Sequence, residues 1–95
     1  MEKNIEISVI APVLDEKENL ISFVNSVTTV MNEFGKEWEM IVIDDGSTDG
    51  SADTLKSLST NPRIRSLLLA KNFGQTSAIQ AGFDNALGKY YVTLD

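Results

Sequence analysis

The chain has 95 residues, with 8 Lys and Arg against 14 Asp and Glu, a formal net charge of −6, and neither Cys nor His. That length suits one small domain, and a hydrophobic share of 42% argues against disorder. The acidic balance disfavours a nucleic-acid binder, the missing Cys excludes disulfides and thiolate chemistry, and the missing His excludes a Ser–His–Asp triad or a His-ligated metal.

Ile5 to Val13 is rich in Ile and Val and reads as a first strand. Ile5, Ile7, Val9 and Ala11 share one face; Ile10 and Pro12 share the other. Pro12 has no N–H to donate, so it is expected to end the ladder. Asp15 with Glu18 three positions on has the spacing of a capping box. Leu20, Val24, Val27, Met31 and Phe34 then recur at steps of four and three, the apolar stripe of a helix lying on a sheet. Gly35 stands where a C′ glycine would close that helix.

Trp38 to Asp44 holds the near-continuous apolar run Met40-Ile41-Val42-Ile43, which suits a parallel strand buried on both faces. Ala52, Leu55 and Leu58 mark a short second helix, broken by Asn61-Pro62. Ile64 to Leu69 reads as a third strand and Lys71-Asn72-Phe73-Gly74 as a loop. Gln75 to Leu87 reads as a third helix with Ala78, Ile79, Gly82, Phe83 and Ala86 inward and Gly88 as its C′ residue. Tyr90 to Leu94 is the fourth strand. The order βαβαβαβ predicts an α/β fold, a parallel Rossmann-like sheet of order 3-2-1-4 with helices on both faces. A chain that stops at Asp95, directly after a strand, is expected to be a piece of a larger domain.

No apolar run approaches the roughly 20 residues needed to span a bilayer, and the N-terminus lacks a signal-peptide core. A cytoplasmic protein is the expectation. In an open α/β sheet, ligands bind beyond the carboxyl ends of the strands. Those ends carry Pro12 to Glu16, Asp44-Asp45, Lys71-Asn72 and Asp95. Acids gathered at one edge favour a divalent cation, or a ligand rich in N–H and O–H donors such as a nucleoside. Ser47, Thr48 and Asp49 read first as turn and N-cap residues. Asp45, beside Asp44 at the end of a buried strand, reads as a ligand acceptor, because the pair has no evident packing use. Glu16 is as readily a first-turn acid favoured by the helix dipole as a ligand. Lys71 reads as solvated surface. The Gly74-Gln75 step into a helix offers backbone amides to an anion or a ribose oxygen. Asp45, Ser47, Asp49, Gly50 and Asp53 match part of a calcium loop, but Lys56 occupies the place of the bidentate Glu and a strand precedes the segment. No Gly-rich dinucleotide fingerprint or Walker lysine loop occurs.

Ile10-Ala11-Pro12-Val13-Leu14-Asp15-Glu16-Lys17-Glu18-Asn19 resembles the P-V-[YF]-N-E-x-E-N segment of inverting family 2 glycosyltransferases. Ile41 to Gly50 resembles their V-D-D-G-S-T-D-G segment. Lys71-Asn72-Phe73-Gly74-Gln75, with Ala78 and Ala81-Gly82, resembles the R-N-F-G-x-x-x-A-x-x-A-G block of the polyprenyl-phosphate branch, which includes dolichyl-phosphate mannose synthase-like enzymes. Tyr91 to Asp95 looks like the strand leading into the D-x-D motif. The resemblance implies the N-terminal, nucleotide-sugar-binding half of a GT-A domain over residues 1–95. It implies a UDP- or GDP-sugar donor, Mg²⁺ or Mn²⁺, and a possible polyprenyl-phosphate acceptor at the cytoplasmic face of a membrane. By similarity Pro12, Leu14 and Glu16 would line the base and ribose, and Asp45 would accept from a base N–H. Gln75 would lie near the nucleotide, and Asp95 would touch ribose or the metal. Leu14 departs from the usual aromatic, which removes a stacking surface; Asp15 departs from the usual Asn. No catalytic residue is assigned, and the 95-residue chain by itself is expected to be inactive and to pair through the bare edge of its fourth strand. The readings that compete are a non-catalytic nucleotide-binding module and a receiver-like phosphorylation domain.

Overall fold

The computed structural model describes residues 4–94. Its elements run β1 (Ile7–Val13), α1 (Lys17–Phe34), β2 (Trp38–Asp44), α2 (Ser51–Leu58), β3 (Ile64–Leu68), α3 (Gln75–Asn85) and β4 (Tyr90–Thr93). The four strands form one sheet in the order β3-β2-β1-β4, and every pairing is parallel. This is the expected α/β architecture. The expected strand bounds shrink by one or two residues at one end of β1, β3 and β4.

The side-chain period of two splits the core into two layers. Val9, Ala11 and Val13 of β1 and Trp38, Met40 and Val42 of β2 pack with Leu20 and Val24 of α1 and Leu55 of α2. On the other face Ile10, Ile41 and Ile43 pack with Ala78 of α3. Handedness explains the division. The steps β1 to β2 and β2 to β3 move one way across the sheet, and β3 to β4 moves back over two strands. Right-handed crossovers therefore send α3 to the face opposite α1 and α2. All seven residues of β2 are buried, as a central strand covered on both faces requires.

Several local expectations are corrected. Pro12 does not end the ladder, because β1 and β2 stay in register to Val13 and Asp44. The Leu94 N–H donates to the Ile10 carbonyl, so the edge of residue 10, and by alternation of residue 12, faces β4. The missing proline donor thus falls away from β2. Phe34 leaves the apolar stripe at 58% exposure, while Val27 and Met31 pack against the core. Helix α3 stops at Asn85, and Gly88 is not its left-handed C′ residue. Ala86 is already extended at φ −73°, ψ 139°. The Leu87 N–H donates to the Glu39 carboxylate at 2.7 Å and the Gly88 N–H to Ser8 Oγ at 2.9 Å. These contacts draw the chain off the helix and onto the start of β1 and β2. Gly35 does close α1 in the left-handed region, at φ 81°.

Candidate functional site

The loops after β1, β2 and β3 meet at the carboxyl edge of the sheet and are tied to one another by carboxylates. Asp44 and Asp45 are 2% and 4% exposed, and both carboxylates accept from backbone amides. Asp44 Oδ1 accepts from the Ser47 N–H at 2.8 Å and turns the chain after β2. Asp45 reaches across to the loop after β3, accepting from the Phe73 N–H at 2.9 Å and the Gly74 N–H at 3.0 Å. The premise that this acid pair has no packing use is therefore overturned. Asp44 holds the turn that follows it, and Asp45 is used by backbone amides far away in sequence.

A second set of bonds joins the loop after β1 to the loop after β2. The Asp15 N–H donates to Ser47 Oγ at 2.8 Å, and the Thr48 N–H donates to Asp15 Oδ1 at 2.8 Å. The Lys17 N–H donates to Asp49 Oδ2 at 3.1 Å. The capping box expected from Asp15 and Glu18 is thus not formed. Glu16 holds the cap position of α1 with no side-chain cap, and an orphan amide of its first turn is satisfied from the neighbouring loop. Asp49 also accepts from the Ser51 N–H, while Gly50 occupies the cap position of α2 at φ 93°. The Ser51 hydroxyl foremost holds the Asp49 carboxyl below the usual carboxylate range; the amides of Lys17 and Ser51 add to this against a desolvation cost.

Between these loops lies a cleft of about 420 Å³ lined by Pro12, Val13, Leu14, Glu16, Asp45, Asn72, Gly74 and Gln75. Five residues singled out from the sequence, Pro12, Leu14, Glu16, Asp45 and Gln75, converge there from three different loops or helix starts. The sixth, Asp95, lies outside the described residues. The Gly74 amide is not open to an anion, since it donates to Asp45 and to Asn72 Oδ1 at 3.0 Å. Asn72 and Val13 line the cleft without having been assigned a site role from sequence. The signal for Asn72 was its place two residues before Gly74, in the loop already read as a strand tip. Lys71 is exposed, its Nζ 5.2 Å from the centre of the Phe73 ring. A smaller hollow of about 250 Å³ adjoins the cleft through Pro12, Val13 and Glu16, with Leu20, Phe23 and Leu94 as its apolar wall.

The chemistry of this cleft is that of an acceptor. Each carboxylate oxygen has two acceptor sites, so Asp45 keeps capacity beyond its two amide bonds. Glu16 also accepts from Asn19 Nδ2 at 3.2 Å. Such a lining suits ligand N–H and O–H groups better than a bare anion. Among the described residues no group of three or more Asp and Glu side chains is arranged to hold a metal ion. Asp15, Asp44, Asp45 and Asp49 each accept from a backbone amide. Among the described residues no helix is long and apolar enough to cross a membrane.

The family described as Glycosyl transferase family 2 matches residues 8–95. Among solved structures, TarS 1-349 of S. aureus is similar at 21% identity and a TM-score of 0.79, over 96% of this chain and 27% of that one. The same protein has been solved in complex with UDP, with the same similarity and coverage. The mannosyltransferase PcManGT from Pyrobaculum calidifontis, in complex with GDP-Man and Mn2+, is similar at 18% identity and a TM-score of 0.65, over 88% of this chain and 25% of that one. The chain therefore spans about a quarter of the length of these structures.

Proposed function

The chain belongs to glycosyltransferase family 2, and from that premise we propose that residues 1–95 form the nucleotide-binding part of an enzyme that transfers a sugar from a UDP- or GDP-sugar. The observation that carries this reading is the meeting of Pro12, Leu14, Glu16, Asp45 and Gln75 around one cleft at the carboxyl edge of a parallel sheet. In this reading Pro12, Leu14 and Glu16 flank the base and ribose. Asp45 accepts from a base N–H with the capacity its amide bonds leave. Binding and orientation are the work of this chain, and no catalytic residue is assigned to it.

The structures similar to it bind UDP, or GDP-Man with Mn2+, which supports a nucleotide-sugar donor. A divalent ion, Mg²⁺ or Mn²⁺, is proposed at Asp95, on the likeness of Tyr91 to Asp95 to the strand leading into the D-x-D motif. It would supply charge stabilisation for a leaving diphosphate. The polyprenyl-phosphate acceptor, with placement at the cytoplasmic face of a membrane, is supported only by the likeness of Asn72-Phe73-Gly74 to that branch. A receiver-like role is disfavoured because its acid pair is expected after the first strand, whereas Asp44 and Asp45 lie at the end of β2.

Titration calorimetry with UDP and GDP tests the reading. Asp45→Asn keeps the size but not the charge. Losing a hydrogen bond to a charged group is worth about 1.5–3 kcal/mol, so affinity is expected to fall roughly tenfold or more. No binding of either nucleotide at millimolar concentration would refute the proposed function. Unchanged affinity in a folded Asp45→Asn chain would refute the role given to Asp45.

Strand β4 is the edge of the described sheet, and Tyr90, Tyr91 and Val92 are 64%, 48% and 44% exposed. An unpaired edge with apolar side chains is a template for another strand. Concentration-dependent self-association is expected by light scattering, and Val92→Lys on that edge is expected to reduce it. A monodisperse monomer at high concentration would count against it.

A further inference from the structure

We infer that Asp15 is a positioning residue of the cleft, a clasp between the loops after β1 and β2 that turns its neighbours Leu14 and Glu16 toward the nucleotide. The inference rests on the nucleotide-binding reading above. Four observations lead to it.

First, Asp15 is the one non-glycine residue with positive φ among those described, at 52°. A left-handed residue with a side chain costs roughly 1–2 kcal/mol, least for Asp and Asn. Such a conformation persists only where its surroundings fix it, and it collects at functional sites. Second, the surroundings that fix it are visible. Asp15 donates its N–H to Ser47 Oγ and accepts from the Thr48 N–H with its carboxylate. One residue thus engages two consecutive residues of a loop more than thirty positions away. Lys17 continues the same seam by donating to Asp49.

Third, the lining of the cleft runs Pro12, Val13, Leu14 and Glu16, and skips Asp15. Asp15 spends its N–H and its carboxylate on the neighbouring loop, while Leu14 and Glu16 on either side of it border the cleft. Fourth, Asp15 makes none of the contacts that would hold α1 as a capping box, so helix stability alone does not explain the carboxylate. Its partners belong to the same loop that presents Asp45.

Three variants of the full chain separate backbone from clasp. Asp15→Asn keeps a side-chain oxygen for the Thr48 N–H and tolerates the left-handed backbone. Asp15→Gly accepts the backbone freely but has no oxygen to offer. Asp15→Ala loses both. Nucleotide affinity by calorimetry is read with melting temperature and with hydrogen exchange at the Thr48 amide. For Asp15→Asn, UDP or GDP affinity is expected to stay within about threefold of the parent. For Asp15→Gly it is expected to fall about tenfold, the worth of one hydrogen bond of the usual size. The Thr48 amide is expected to exchange faster in the glycine and alanine variants only.

A glycine variant that binds like the parent while its Thr48 amide has become unprotected would overturn the positioning role and leave the nucleotide site standing. So would an asparagine variant that fails to restore affinity. A parent chain that binds neither nucleotide would overturn the proposed function itself, and the role of Asp15 with it.

Discussion

Glu39→Ala is expected to remove about 3 kcal/mol of stability, the lower end of the cost of breaking a buried ion pair. A 95-residue domain has only about 5–14 kcal/mol in total, so this is a large share. Glu39 is 3% exposed at the start of β2, at the end of the sheet away from the cleft. Its Oε2 accepts from Ser8 Oγ at 2.6 Å and from the Leu87 N–H at 2.7 Å, and its Oε1 accepts from Arg65 Nη1 at 2.7 Å. Alanine strands three donors at once. The lower end applies because Arg65 keeps 36% of its side-chain exposure and also donates to the Asn85 carbonyl. Urea denaturation checks this as a fall in midpoint with unchanged slope.

The same carboxylate makes stability depend on pH. Burial pushes the Glu39 carboxyl up, but bonds from the Ser8 hydroxyl, the Leu87 amide and Arg65, with the Arg65 charge, outweigh it, so it titrates below the ordinary glutamate range. A group depressed in the folded state stabilises above its unfolded value, and that contribution is lost as pH falls through the folded value. The parent is expected to weaken on acidification from the ordinary glutamate range downward. Glu39→Gln, starting less stable, is expected to lose less over the same range. A parallel acid dependence in both would show that Glu39 is not the group responsible.

Gly46→Ala is the second substitution with a large expected effect. Gly46 has φ 82°, and a Cβ there would stand 2.4 Å from the Asn72 N and the Lys71 carbonyl carbon. The left-handed backbone costs about 1–2 kcal/mol and the overlap about 1–3 more. No rotamer change relieves a clash with backbone, so the loops after β2 and β3 must part. That separation breaks the bonds from Phe73 and Gly74 to Asp45 and opens the cleft wall. Loss of roughly 2–5 kcal/mol, with nucleotide affinity reduced beyond detection, is expected. Gly35→Ala is the control. Its φ of 81° is nearly the same, but nothing lies within 4 Å of the added carbon, so it should lose only the backbone cost and keep affinity. Equal effects of the two substitutions would mean that loop contact at Gly46 is unimportant.

Much of this was readable from the chain, because it depended on local pattern. Met40-Ile41-Val42-Ile43 marked a strand buried on both faces, and α1 showed Leu20 and Val24 at helical spacing. Alternating strands and helices, joined to the handedness of crossovers, gave the sheet order. Knowing that ligands bind past the carboxyl ends of such strands then pointed to the stretch Pro12 to Glu16 and to Asp45, and the resemblance to family 2 glycosyltransferases singled out Pro12, Leu14 and Gln75. The misreadings were of a different kind. The first turn of α1 was assigned a capping box because Asp15 and Glu18 have the spacing, and Gly88 was assigned to close α3 because it follows a helical run. Each was displaced by a partner from another segment.

The amino-acid sequence by itself therefore determined the order of elements, the faces they bury and the edge where the cleft forms, since periodicity and turn chemistry act within a few residues. Only the tertiary structure decided what the acids do. Asp45 meets amides 28 and 29 residues away, Asp15 meets Ser47 and Thr48 at 32 and 33, and Glu39 meets Leu87 at 48. A carboxylate leaving water binds whichever donor the fold brings within 3 Å, and no local spacing records which donor that is.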